Sequence, residues 1–141
     1  MGEPKAGCVF CKILAGQSSA SRVYENDDVL VFMDLFPVEQ GHTLIIPKPH
    51  WENIFETPAD ALEKVITISK PVAHAIRETL TPAGIQVFQL NGAAAGQTVF
   101  HYHMHLIPRW QGGAFAFHGR HREEREKLDE MAQRIASNLQ I

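Results

Sequence analysis

A chain of 141 residues with 45% hydrophobic content can fill one core, so a single domain over 8–141 behind a flexible stretch at 1–7 is the expectation. Its formal net charge of −3, with both signs mixed along the chain, lacks the basic field that duplex nucleic acid demands and leaves small anions as ligands. No apolar run reaches the roughly 18 residues of a membrane span and the start has no apolar signal core, which points to a cytoplasmic protein with no membrane partner.

Cys8 to Leu14 predicts a short helical piece, ended by the polar run from Ala15 to Ser19. Arg22–Glu25 and Val29–Met33 read as a hairpin joined by the turn cluster Asn26-Asp27-Asp28. Pro37 marks Leu35 to Gln40 as a loop, and His42 to Pro47 is a third, β-branched strand with His50 just past its end. Thr57 as N-cap before Pro58 starts a helix that reaches about Leu80. Its apolar face is read as Leu62, Val65, Ile66, Ser69, Val72, Ala73 and Ile76, with a kink at Pro71. Ile85–Leu90 is a fourth strand, Asn91–Gln97 a small-residue loop and Val99–Pro108 a fifth strand. After a Gly112-Gly113 break, His121–Leu139 predicts a last helix on Leu128, Met131, Ile135 and Leu139. The fold class is α+β: a five-stranded antiparallel sheet, one long central helix and a C-terminal helix.

The sharpest chemical signal is His101-Tyr102-His103-Met104-His105-Leu106-Ile107. Period two sets the three imidazoles on one face and Tyr102, Met104 and Leu106 on the core face. Neighbouring imidazoles then sit roughly 6.5 to 7 Å apart at Cα, a span that lets them engage different oxygens of one phosphate. The same His-x-His pattern also suits a catalytic zinc with an open position, and spacing alone leaves both readings standing. A neutral imidazole is a competent nucleophile near pH 7, and crowding disfavours protonating every ring at once.

His101 to Ile107 resembles the histidine triad motif, His-φ-His-φ-His-φ-φ with φ apolar, and Gly41-His42-Thr43-Leu44-Ile45-Ile46-Pro47-Lys48 is similar to a strand of that family. The likeness runs from Phe10 to Trp110. It implies that His103 is a nucleophile forming a nucleotidyl-histidine, that His105 contacts the phosphate and helps the leaving group depart, and that His42 stands close by. It implies phosphate contacts from Asn91, Gln97 and Thr98, and a base enclosed by Val9, Phe10, Ile13, Phe32 and Leu35, residues that would otherwise read as core. Asp34 matches an acidic residue that binds both ribose hydroxyls; on local grounds it reads equally well as a turn aspartate.

Cys8 and Cys11 form a C-x-x-C pair without the strand or flanking residues of a dithiol redox site, so zinc is preferred. His50 and His101 complete a structural Cys2His2 set, an arrangement that some bacterial triad proteins resemble; the alternative is two idle thiols with His50 on the surface. His74, His118 and His121 show no partnered spacing and are read as solvent-facing. The implied protein is a homodimeric hydrolase, with Trp110 near the interface, that cleaves a phosphoramidate or dinucleoside polyphosphate of a purine nucleotide. It releases a monophosphate such as AMP and needs no metal in the chemical step. A histidine at 105, where the transferase branch has glutamine, favours water as acceptor. A nucleotide-binding interaction module with little turnover and a zinc hydrolase using the triad as ligands are the rival functions.

Overall fold

The structure is a computed structural model that describes residues 2–112 and 116–141. Among the described residues the order is α1 (Val9–Leu14), β1 (Arg22–Glu25), β2 (Val29–Met33), β3 (Thr43–Pro47), α2 (Ala59–Leu80), β4 (Gly84–Gln89), β5 (Met104–Arg109) and α3 (Arg125–Ser137), with a short 3-10 turn at Ala93–Ala95. The strands form one antiparallel sheet in the order β1-β2-β3-β5-β4. This is the expected α+β architecture.

Asn26 explains the hairpin. Its side-chain oxygen accepts from the amides of Asp28 (2.8 Å) and Val29 (2.9 Å), which turns the chain before β2 starts. All of β2 is buried because both faces of the sheet are covered. Val29, Val31 and Met33 join Ile45, Met104 and Leu106 against α2 and α3, whereas Leu30, Phe32, Leu44 and Ile46 pack with Phe10 and Ile13 of α1. The site forms on the α1 side, since Leu44 pairs with His105.

Several boundaries differ from the sequence reading. The strand expected from Val99 begins only at Met104, because Ile45 of β3 and Gln89 of β4 are the last residues that pair with it at that end. Upstream, Tyr102 gives its amide to the Trp51 carbonyl instead (2.8 Å). His101 and His103 therefore lie in an extended lead-in, and His42 likewise precedes β3. β4 starts at Gly84 and ends at Gln89, one residue earlier at each end than expected. Thr57 does not cap α2: its hydroxyl donates to the Asn53 carbonyl (2.7 Å), and Pro58 holds the N-cap position. The buried face of α2 is Val65, Ile68, Ser69, Val72, Ala75 and Ile76. Ile66 is 54% exposed, so the expected face was rotated by part of a turn. Pro71 lies within the helix. α3 is shorter than expected at both ends and buries Leu128, Ala132 and Ile135, with Met131 and Leu139 at its margin.

In the stretch 1–7, Gly2 bridges to His50 and the exposed Lys5 lies 3.3 Å from Glu52. Part of the expected Gly112-Gly113 break lies outside the described residues. No helix of the described residues is long and apolar enough to cross a membrane.

Candidate functional site

A cleft of about 660 Å³ opens between α1, the end of β2 and the histidine segment. Of the residues singled out from sequence, Val9, Phe10, Ile13, Phe32, Asp34, Leu35, Thr98, His103 and His105 line it. Phe10 meets Phe32 edge-on at 5.3 Å between ring centres and His103 at 5.2 Å, so one aromatic side chain joins the apolar end of the cleft to the histidine end.

Hydrogen bonds fix the tautomer of each ring. The His101 carbonyl lies 2.7 Å from Nδ1 of His103. A carbonyl only accepts, so Nδ1 carries the proton and Nε2 keeps a free lone pair. The chain through His42 runs the other way. The Val38 amide donates to Nδ1 of His42 (3.0 Å), so Nε2 of His42 bears the hydrogen and donates to Nδ1 of His105 at 2.9 Å. That leaves Nε2–H of His105 as a buried donor with no partner among the described residues, an orphan that a ligand oxygen would satisfy. Phe88 stacks on the ring of His105 at 4.5 Å, 13° from parallel, which holds its plane. His42 is fully buried, and Gly41 before it has φ +86 with no room for a Cβ against Leu80.

Burial disfavours charge on all these rings. It pulls His42 down to about 3 and His105 to about 2, each with help from neighbouring histidines, and it lowers His103 against the opposing pull of the His101 carbonyl. Asp34 is pushed up to about 6 by burial, although the Phe36 amide (2.9 Å) favours its carboxylate; its other oxygen lies 3.4 Å from Nε2 of His42.

Asn91 and Gln97 stand outside the cleft lining. The Asn91 amide accepts from the Ile54 amide (2.8 Å) and exchanges hydrogen bonds with Gln89. Gln97 is buried, donating to the carbonyls of Glu52 (2.6 Å) and Val99 (3.0 Å) and accepting from the Gly92 amide (2.8 Å). Both brace the loop from within, whereas Thr98 is exposed to the cleft.

A second cluster joins Cys8, Cys11, His50 and His101, whose ligand atoms all lie within 4.8 Å of one another. The separations are 3.2 Å between the two Nδ1 atoms, 3.3 Å from Cys11 Sγ to His50, and 3.6 Å from each sulfur to His101. Zn–S near ~2.3 Å and Zn–N near ~2.0 Å give tetrahedral edges of about 3.3 to 3.8 Å, so the donors suit that ion in type and spacing. Nε2 of His101 faces the Pro47 carbonyl at 2.8 Å, which turns Nδ1 toward the cluster as a bare ligand. Cys8 also caps α1, its sulfur accepting from the Cys11 amide (3.3 Å).

Sequence reasoning missed the wall contributed from beyond β5: His118, Gly119, Arg122 and Arg125 line the same cleft. His118, read as solvent-facing, is half-buried, with Nε2 2.6 Å from the Gly96 carbonyl and its ring 6.0 Å from that of His105. No periodic or motif signal surrounds it, and only the folding back of this segment brings it in. His74 and His121 are exposed, as expected.

The HIT domain profile matches residues 15–112. The chain belongs to the HIT family. A curated HIT relative, "Protein hit" of Bacillus subtilis, is 45% identical over 106 residues, 75% of this chain and 73% of its own length. Among solved HIT structures, the Hit-like protein involved in cell-cycle regulation from Bartonella henselae is 36% identical with a TM-score of 0.88, covering 96% of this chain and 98% of that one. A Zn-bound histidine triad family protein from Mycobacterium smegmatis is 33% identical with a TM-score of 0.82, covering 94% and 92%. In this HIT chain the family match stops at residue 112, ahead of His118, Arg122 and Arg125.

Proposed function

We propose that this HIT protein is a nucleotide hydrolase that acts at the α-phosphate of a phosphoramidate or dinucleoside polyphosphate, through a nucleotidyl-His103 intermediate, and releases a nucleoside monophosphate such as AMP. The observation that carries the reading is the opposed pair of tautomers: a bare Nε2 on His103 beside an Nε2–H on His105 that has no partner among the described residues. The lone pair of His103 forms a bond to phosphorus as the bond to the leaving group breaks; water then attacks, and the P–N electrons return to His103. Charge on the non-bridging oxygens is met by Nε2–H of His105 and by Thr98, fixed donors that need no reorganisation. Val9, Phe10, Ile13, Phe32 and Leu35 form a slot suited to a flat purine, and the Asp34 carboxylate suits the ribose hydroxyls. No metal is needed in these steps.

Zinc on Cys8, Cys11, His50 and His101 would be structural, pinning α1 and its cleft-lining residues to the segment that leads into His103. The supporting observations are the donor spacing and the Zn-bound relative. A homodimer joined through the sheet fits β4, the edge strand next to β5.

The test is a low-pH quench of protein incubated with nucleotide labelled at the α-phosphate. A labelled adduct in the native protein and none in His103→Ala is expected; bound nucleotide without adduct or product would mark a binding module instead. Zinc stoichiometry checks the metal: one ion retained in His103→Ala and His105→Ala, and none in Cys11→Ser. Loss of zinc from His105→Ala would favour a metal on Asp34, His42 and His105, whose donor atoms also lie within 4.8 Å of one another.

A further inference from the structure

We infer that His118 is a further catalytic residue, the general acid that gives a proton to the leaving group as His103 attacks and takes one from water when the intermediate is hydrolysed. The inference rests on the nucleotidyl-His103 reading and adds a residue from outside the matched family region.

First, with the hydrogen bonds as they stand, the motif histidines have no spare proton for this task, including His105, which the family resemblance implied helps the leaving group depart. Nδ1 of His105 is occupied by the hydrogen from His42, so its single N–H must stay in place to bind phosphate oxygen. His42 has no surface at all, and the lone pair of His103 is committed to phosphorus. Expelling an amine or an alkoxide without a proton is slow, and an imidazole is the ordinary side chain able to deliver one near neutral pH.

The second observation is that the position of His118 is built. Its Nε2–H donates to the Gly96 carbonyl at 2.6 Å, which reserves Nδ1 for exchange of a proton. Next to it, a Cβ on Gly119 would collide with the carbonyl oxygens of Phe36 and Pro37, and the Gly119 amide donates to Phe36 at 3.2 Å. Glu123 repeats that attachment four residues on, donating to the Leu35 carbonyl at 3.0 Å, and Phe117 packs on Phe88 at 5.0 Å, the ring that stacks on His105. The segment is thus laid along the far wall of the cleft with His118 facing in.

The third is geometry around phosphorus. The His105 ring is 4.8 Å from His103 and 6.0 Å from His118. An in-line displacement at a phosphorus held by His105 sends the leaving group away from His103, and the inference puts that group beside His118, which lines the same cleft with its ring next to that of His105. The step starts from His118 as the imidazolium, with Nε2–H on the Gly96 carbonyl and a second proton on Nδ1; as the P–X bond breaks, its electron pair goes to X, which receives that Nδ1 proton. In the second half Nδ1 accepts a proton from the attacking water, and the ring returns to its starting state.

The test uses two AMP derivatives with the native protein, His118→Ala and His118→Gln. One probe is the p-nitrophenyl ester, whose phenolate leaves unaided; the other is an alkyl phosphoramidate, whose amine does not. Both variants are expected to lose about 100-fold in kcat/KM on the phosphoramidate and less than about threefold on the aryl ester, with the His103 adduct still trapped from the aryl ester. Glutamine can keep the bond to Gly96 but cannot shuttle a proton, so recovery of phosphoramidate turnover in His118→Gln would overturn the inference in favour of a loop-holding role. Equal losses on both probes, or none on either, would also overturn it, as would the same selective loss in Asp34→Asn with His118→Gln unaffected. If the native protein forms no His103 adduct, the underlying reading fails and this one with it.

Discussion

His103 and His105 are the same residue two positions apart, yet their neighbours assign them opposite roles. A backbone carbonyl on Nδ1 makes one ring a lone-pair donor at Nε2, and a second histidine on Nδ1 makes the other a hydrogen-bond donor there. Under the proposed function His105→Ala should lower kcat by about 10²–10³-fold, the loss typical of one fixed donor to a developing oxyanion, with a smaller change in KM; steady-state kinetics on a phosphoramidate would show it. Gln97 was expected from sequence to touch phosphate, and its three hydrogen bonds to backbone suggest a different experiment. Gln97→Ala should cost about 1–3 kcal/mol in urea unfolding, because the buried carbonyls of Glu52 and Val99 and the amide of Gly92 lose their partner.

At the scale of elements, α1 belongs to both clusters. Its N-cap Cys8 and its Cys11 point to His50 and His101, and Val9, Phe10 and Ile13 of the same turn and a half line the cleft. A helix of 6 residues is too short to persist alone, so its anchoring sets the shape of the apolar slot. α2 shows where periodicity misleads. Ile66 and Ile68 are equally apolar, and the three-to-four spacing admits either, but the sheet lies on the side of Ile68. Ile68→Ala should therefore cost about 2–5 kcal/mol in chemical denaturation, while Ile66→Ala, on the 54% exposed side chain, changes stability little.

For the whole molecule, packing both faces of one small sheet places a set of imidazoles in the interior as neutral groups. His42 and His105 are held at about 3 and about 2, against 6.5 unperturbed. Between those values and 6.5 the unfolded chain binds protons that the folded one refuses, so stability is complete above about pH 6.5 and falls as the pH drops through the window. Asp34, raised to about 6 from 3.8, works in the opposite sense between those two values. Two groups outweigh one, and thermal unfolding should show Tm falling by several degrees from pH 7.5 to pH 5; a flat or rising Tm would contradict the burial of these rings. The α+β class, the strand order along the chain, the triad and the cysteine pair were legible in the sequence, because they depend on local periodicity, turn residues and motif spacing; His50 and His101 as partners of the cysteines came with the family resemblance. Hydrogen-bond direction, the inward turn of His118 and the inward-braced amides of Asn91 and Gln97 were not. Those depend on which distant carbonyl or amide lies opposite a side chain, and only the closure of the sheet, with the last segment folded back across it, puts those partners in place.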